Sequence, residues 1–420
     1  MRGGHGWLLP GLVAATFLSL LHYLSFSPLL PAIAAELHLD VGTLGQLPAA
    51  IGVGAAFIGL AAGPLADRYG KRHTLLLGVL ALVVSSAGLA FLPGLALLPA
   101  IALLAALGRA TVYPLALAIA SAEYEGDLQR RAVSRITSSL GPAPILGVPL
   151  VTAVATMFDW RAAWLALSVL TAVALLWLWR VLQRPGGWQS TLASRPLARP
   201  LFAAYAPLLR HRPSMALVGG TFALGAGGWI VWTYLGAFVI QRHGFTTQEA
   251  GWVWTIVGIG LFAGSILVGG PLGRAPQHAL FSVAALGAGA CLGLAMLLPV
   301  NGWLAAAIVG VGTLLHGATQ VVTAIWLPKS APTGRAATMT LRGAASSLGA
   351  AGGAALGGVL LSVADFAALG ASAIVFCALG AALGWWAHTP VGRTEQPQAI
   401  AAVRALGGSS IPSSATHAAT

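Results

Sequence analysis

Gly63-Pro64-Leu65-Ala66-Asp67-Arg68-Tyr69-Gly70-Lys71-Arg72-His73 is a polar run set between two long apolar segments, and its reading decides the fold. It holds one acid and three fixed cations, too many charges to lie in lipid. The run is therefore a turn at a membrane surface. Gly63 lets neighbouring helices approach closely, and Gly70 admits the left-handed backbone of a tight turn.

The rest of the chain agrees. It is 57% hydrophobic and only 8% charged, with 54 glycines in 420 residues, whereas about a quarter of a soluble domain is charged. Apolar stretches long enough to cross a bilayer, which takes about 20 residues at the helical rise, occur at about 8–30, 43–66, 74–92, 95–121, 136–157, 162–182, 214–239, 248–272, 278–298, 303–327, 338–362 and 366–388. This predicts an all-α integral membrane protein with twelve transmembrane helices. The first stretch runs on to Leu30 with no small-residue cleavage site, so it is a helix and not a signal peptide. Cys291 and Cys377 lie in apolar spans and offer neither a disulfide framework nor a metal-ligand spacing.

In a soluble protein a net charge of +12 invites nucleic acid, but here its distribution follows the positive-inside rule. With the N-terminus inside, 19 of the 22 cations sort to the inner segments. Arg161 and Arg242 fall outside and Arg109 falls within the membrane. The expectation is a multi-pass protein of the cell (inner) membrane with both termini cytoplasmic, lipid around it and no nucleic-acid partner.

The chain is also a tandem repeat. Thr16-Phe17 matches Thr221-Phe222, Ile51-Gly52-Val53-Gly54 matches Val257-Gly258-Ile259-Gly260, Gly63-Pro64-Leu65 matches Gly270-Pro271-Leu272, and Ser138-Ser139-Leu140-Gly141 matches Ser346-Ser347-Leu348-Gly349. The offset drifts from 205 to 208, as insertions in loops would make it. Two parallel six-helix halves with a site between them are a transporter architecture. The expected organisation is an N-terminal bundle over 1–182, a cytoplasmic connector over 183–213, a C-terminal bundle over 214–388 and a mobile tail over 389–420. The connector is rich in Pro and Arg and cannot form one long helix. Short helices on the anionic leaflet and a solvated linker are both open.

The opening run resembles the loop between helices 2 and 3 of major facilitator superfamily transporters. Gly63, Leu65, Asp67, Arg68, Gly70, Lys71 and Arg72 match its pattern position by position. Arg109, in Leu107-Gly108-Arg109-Ala110-Thr111, stands where that family has an intramembrane arginine, although Tyr113-Pro114 replaces a following glycine. The run from Gly141-Pro142 to Gly147-Val148-Pro149 is similar to the fifth-helix motif of proton-coupled exporters, without its terminal Gly-Gly. Asp159-Trp160-Arg161 resembles the start of the family's helix 6. The resemblance spans about 10–388 and points to the drug/proton and sugar-efflux branch. It implies a major facilitator fold and alternating-access transport of a small-molecule substrate, most simply proton-coupled export. Alternatives are proton-coupled uptake of a small polar or anionic solute and a transport-inactive sensor on the same fold. It also implies that Asp67 meets helix 11 near Arg335 and latches the cytoplasmic side; a plain surface ion pair, worth about 0–1 kcal/mol, is the other reading.

Arg109 is the costliest residue, since mid-helix arginine disfavours insertion by about 2.5–3.5 kcal/mol. All ten acids lie in loops or near helix ends, so its partners are carbonyls, water, hydroxyls such as Thr111 or a bound anion. Carbonyls of helix 1 alone are the structural alternative. His22 and His316 are the other ionisable groups well inside spans, and either can titrate near neutral pH or serve as a neutral hydrogen-bonding group. Arg109, His22, His316 and Gln320 are the candidate substrate and proton site, and Gln46 could line the same cavity. Trp160, Trp229, Trp252, Trp254, Trp385 and Trp386 read as interfacial anchors and packing. The sequence has no Walker loop, H-E-x-x-H or nucleophile elbow, so neither an enzyme, a cofactor nor a metal is expected. A twelve-helix bundle can work as a monomer.

Overall fold

The computed structural model describes residues 5–92, 94–182, 205–332 and 335–388. The segment 183–204 of the expected connector and the tail 389–420 lie outside the described residues. Among them, twelve helical segments are long and apolar enough to cross a membrane, and there is no strand. They are α1 (Trp7–Leu24), α2 (Val41–Ala62), α3 (Lys71–Ala90), α4 (Leu95–Glu123), α5 (Gly126–Met157), α6 (Trp160–Leu182), α7 (Arg212–His243), α8 (Thr247–Gly269), α9 (Gln277–Leu297), α10 (Gly302–Ser330), α11 (Thr338–Val363) and α12 (Phe366–Trp386). The helix of α2 runs on to Tyr69, and Gly70 alone separates it from α3, with φ at 89°. An L side chain rarely takes that conformation.

Packing repeats with the chain. In the first six spans, α3 lies on α4 and α6, α2 on α4, and α1 on α6. In the second six, α9 lies on α10 and α12, α8 on α10, and α7 on α12. The halves meet along two seams that exchange under the same relation, α2 with α11 and α5 with α8. This is the architecture implied by the internal sequence matches.

Three spans are less regular than their apolar runs predict. The stretch expected as one helix over 8–30 is two pieces, His5–Leu24 and Phe26–Glu36. At the break, the Ser25 hydroxyl donates to the Leu21 carbonyl at 2.7 Å, a local bond that competes with the helical ladder. Its repeat counterpart α7 breaks likewise at Thr233 and Tyr234, between Arg212–Trp232 and Leu235–His243. In α5 the helix Gly126–Ser138 is followed by a π turn at Ala143–Gly147 and a helix at Val148–Met157. Pro149 has no N–H for the Ile145 carbonyl; the Thr255 hydroxyl of α8 donates to that carbonyl instead, at 2.9 Å.

Glycines measure how the seams close. On the α2 face turned to α11, Gly45 abuts the Tyr234 phenol, and a Cβ on Gly52 would come within 2.9 Å of Ala351 Cβ. Gly59, seven residues further toward the cation-rich end, would meet nothing within 4 Å, and neither would Gly343 on α11. The seam is tight at the cation-poor end and splays toward Arg68, Lys71 and Arg72. Gln46 donates to the Ala355 carbonyl across it at 3.0 Å, so this glutamine ties the seam and does not line a cavity with Gln320. Between the broken ends of α1 and α7, a Cβ on Gly236 would lie 2.6 Å from Pro28 Cα.

The cation-poor end carries a second brace. Asp159 caps α6 by accepting from the Ala162 N–H at 2.6 Å. Glu36 accepts from Trp160 Nε1 at 2.6 Å and from Arg161 Nη2 at 2.7 Å. Trp160 is thus a buried hydrogen-bond donor, not an interfacial anchor. Bonds from Arg161 and then Trp160 hold the Glu36 carboxyl below the usual carboxylate range. Its stabilisation is present above the ordinary glutamate pKa and lost as pH falls through the lowered value. The acid limb of a melting-temperature profile in detergent should therefore flatten in Glu36→Gln, and an unchanged limb would leave the brace without energetic weight. Gly236→Val should wedge the halves apart at this end. Overpacking costs about 1–3 kcal/mol, enough to move a two-state population by roughly fivefold to a hundredfold. Spin labels at Ala35 and Ala364 should report a longer distance population in the variant; an unaltered distribution means that this contact does not hold the seam.

Candidate functional site

The two helix breaks face one another midway between the halves, and the chemically loaded side chains gather there. Arg109, at the middle of α4, places its guanidinium 3.8 Å from the centroid of the Tyr23 ring and 5.8 Å from that of Trp229. Tyr23 and Trp229 stack edge to face at 4.7 Å, one from α1 and one from α7. A guanidinium over an aromatic face gains about 0.5–1 kcal/mol when exposed and about 2 or more when desolvated. Aromatic faces are partners that the sequence reading did not assign to Arg109. Thr111 is not among them, since its hydroxyl donates to the Leu107 carbonyl at 2.7 Å and packs at Gly78 of α3.

Between Tyr23, Ser27 and Pro48 on one side and Trp229, Thr233 and Trp254 on the other lies a cavity of about 10 Å³, room for about one water. Tyr23 Oη, Thr233 Oγ1 and Trp254 Nε1 are buried there without a hydrogen-bond partner. Each such group costs about 1–3 kcal/mol when left unsatisfied. Three of them belong to residues that line this one cavity, so its wall is polar. The tryptophans therefore divide: Trp229, Trp232 and Trp254 belong to the interior, correcting the anchor reading for Trp229 and Trp254. Trp252, Trp385 and Trp386 remain exposed on the outer surface.

His316 lies beyond Trp232, whose ring it meets edge to face at 4.7 Å. Its orientation is fixed from α11. Arg342 Nη2 donates to Gln320 Oε1 at 3.0 Å and to the Gln320 carbonyl at 3.0 Å, and Arg342 Nε donates to Thr323 Oγ1 at 3.3 Å. With Oε1 so engaged, the Gln320 amide nitrogen faces His316 Nε2 at 3.1 Å and must donate to it. The neutral imidazole then carries its proton on Nδ1, which is buried and unpartnered. Arg342, assigned by charge sorting to the inner surface, lies inside α11 as the organiser of this network. Its inward aim was not legible because position near a helix end fits either surface or interior.

His22 does not join this group. It is buried within the first six spans, with Nε2 3.2 Å from Ser85 Oγ and its ring edge-on to Trp164 at 5.1 Å and Phe26 at 5.7 Å. The fifth-span motif is at the α5 seam. Gly147 packs on Leu21 of α1, with a Cβ there 2.8 Å from Leu21 Cδ1, and Gly141 faces Phe262 of α8. Pro142 precedes the π turn and Pro149 offers its carbonyl to Gln248 Nε2 at 3.4 Å. At the surface turn Arg68 lies 5.5 Å from the Tyr69 ring centroid, Leu65 and Lys71 are exposed, and Arg72 Nε is buried without a partner. The Asp67 side chain and those of 335–337 lie outside the described residues, and with them the latch expected between α2 and α11. Cys291 and Cys377 are both free thiols.

Twelve spans in two related halves, with helix breaks facing one another and an arginine between them, are the architecture found in alternating-access transporters. The chain belongs to the Major Facilitator Superfamily, whose pattern it matches over residues 12–340. It is 25% identical over 242 residues to the uncharacterized MFS-type transporter YceJ of Bacillus subtilis, covering 57% of this chain and 60% of that one. It is 27% identical over 252 residues to a chloramphenicol resistance protein of Streptomyces lividans, covering 60% and 63%. The chain thus matches less than two thirds of the length of either relative. Over 343 residues it is 27% identical to the transcription regulatory protein OpdE of Pseudomonas aeruginosa, covering 79% and 81%. In fold it is similar to a bacterial homologue of the human lysosomal transporter Spinster, solved in an inward-facing, unoccupied conformation, with a TM-score of 0.72 at 16% identity over 95% of this chain and 99% of that one.

The imidazole arrangement has a direct readout. Nitrogen chemical shifts of histidine-labelled protein, with the His316 signals identified by their loss in His316→Gln, should report the Nδ1–H tautomer. Arg342→Met should release Gln320 and give a mixture of tautomers. Identical spectra in wild type and Arg342→Met would remove Arg342 from the chain of control.

Proposed function

We propose that this protein is a secondary transporter that exports a small solute across the cytoplasmic membrane by alternating access, in exchange for protons. The observation that carries the reading is the α2–α11 seam, close-packed at the cation-poor end and splayed at the other, with Arg109, Tyr23 and Trp229 gathered between the halves. If the cation-rich end is cytoplasmic, this conformation takes solute from inside. The chloramphenicol resistance relative and the fifth-span resemblance favour export over uptake. The name of the OpdE relative keeps a regulatory role on the same fold as the second reading.

His316 is the proposed proton-sensitive element, with Gln320 and Arg342 as its transmission and Arg109 as the fixed charge of the substrate site. Protonation of His316 would turn Nε2 into a donor facing the donor amide of Gln320. Rotating that amide would turn its NH₂ toward the Arg342 guanidinium, so one bond of the network must break. The neutral imidazole therefore goes with this conformation, the stage at which an exporter has released its proton and accepts substrate. His22, enclosed by Trp164 and Phe26, is the structural histidine of the pair in this scheme. Asp67 is the proposed latch toward α11 for the opposite conformation, and the protein works as a monomer.

Proton movement in reconstituted vesicles, read by an internal pH dye as chloramphenicol and small organic acids are added, tests the scheme. Solute-dependent proton flux should appear in wild type, persist in His22→Gln and vanish in His316→Gln while solute binding remains. Asp67→Asn should slow flux and raise the fraction open at the cation-rich end. A His316→Gln protein with the wild-type pH profile would transfer the proton role to a helix-end acid such as Glu123 or Asp67, or to another coupling ion.

A further inference from the structure

The polar atoms left without partners between the halves are uneven in kind. Trp254 Nε1 and Trp232 Nε1 are N–H groups that can only donate. His316 Nδ1 carries a hydrogen because Gln320 occupies the other ring nitrogen. Tyr23 and Thr233 each present an unpartnered hydroxyl, and the residues carrying all five atoms are at least nine-tenths buried. Arg109 adds a permanent positive charge on the Tyr23 ring. No acid or amide side chain among the described residues lines the cavity that Tyr23, Thr233 and Trp254 share, and every acid of the described residues lies outside the spans or within a turn of their ends. A site with this surplus of donors under a positive field is complementary to a ligand that brings acceptors and negative charge.

The remaining lining is aromatic. Trp229 stands edge to face with Trp232 at 5.5 Å and with Tyr23 at 4.7 Å. These faces suit a flat apolar body. They would also stabilise an organic cation, but Arg109 already occupies the Tyr23 face and repels a second positive charge.

Resting on the transport reading above, we propose that the solute is an organic monoanion with a planar apolar body, an arylalkyl carboxylate in chemical class. One carboxylate oxygen takes the donors of Tyr23, Thr233 and Trp254, Arg109 supplies the neutralising charge, and the Trp229 and Trp232 rings pack the body as the splayed seam admits it. The three buried donors are then satisfied on binding. An inorganic or bodiless anion meets the same donors without the packing.

Calorimetry on the full-length protein in detergent tests the assignment with four probes of shared parts: phenylacetate, phenethyl alcohol, phenethylamine and acetate. Phenylacetate should bind at least about tenfold more tightly than the alcohol or acetate, as expected for a charge-assisted hydrogen bond, and the amine should not bind. Arg109→Gln should bring phenylacetate down to the affinity of the alcohol. Trp254→Phe keeps an aromatic ring but removes the N–H, and should weaken phenylacetate by about tenfold while leaving the alcohol within about twofold. It keeps the test decisive if Arg109→Gln does not fold. The class is overturned if none of the four probes binds, if the amine or alcohol matches the acid, if acetate does as well as phenylacetate, or if Trp254→Phe binds the acid as wild type does. None of these readouts requires transport, so flux of some other solute would leave the transport reading standing while this assignment falls.

Discussion

Inside a bilayer no water is at hand to satisfy a freed backbone or side-chain polar group, and that constraint organises this molecule. Wherever a helix breaks, something specific takes the loose end. Ser25 folds its hydroxyl back to Leu21, Thr255 reaches from α8 to the Ile145 carbonyl that Pro149 leaves open, and Ser27 accepts the Gly236 N–H at 3.2 Å. Two of these three bonds cross between the halves. The irregularities that make a site possible are therefore also what joins the halves, and a carrier that separates them must exchange such partners in each cycle.

The same constraint explains the asymmetry between the two ends. Closure at the cation-poor end uses backbone-to-backbone approach at Gly42 and Gly358 and at Gly236, and seats Gly52 on the small side chain of Ala351, so that the chains come close and dispersion contacts accumulate. The cation-rich end has charged turns instead. Charges at a water surface form contacts that are individually weak, which suits a gate that must open readily toward solvent.

What the sequence disclosed and what it hid separate along physical lines. The spans, the surface turn at Gly63–His73 and the duplication depend on composition and order along the chain, so they could be read from it. The Arg109 environment could not, because Tyr23 and Trp229 come from remote positions and reach the arginine only after both halves assemble. Tryptophan posed a second difficulty: an apolar ring with one N–H suits a membrane interface and a buried site equally, and only burial tells Trp254 from Trp252. Gln46 and Gln320 are chemically identical and both at membrane depth, yet one ties a seam to Ala355 and the other steers an imidazole. Arg342 and Thr111 were misread for the same reason, since a span boundary or a neighbour in sequence does not fix the direction in which a side chain points.

Arg109 brings the membrane potential into the cycle. A site with a permanent positive charge and no acidic side chain at its depth is charged when empty and compensated when a monoanion fills it. Reorienting access around the solute-free site moves that charge, together with the proton on His316 in the proposed exchange, through part of the electric field, whose full drop is worth about 2.3 kcal/mol per elementary charge for each 100 mV. The loaded step would be nearly indifferent to voltage and the return step sensitive to it. An arginine over a tyrosine ring thereby helps make the solute-free half of the cycle the one that an energised membrane accelerates or restrains.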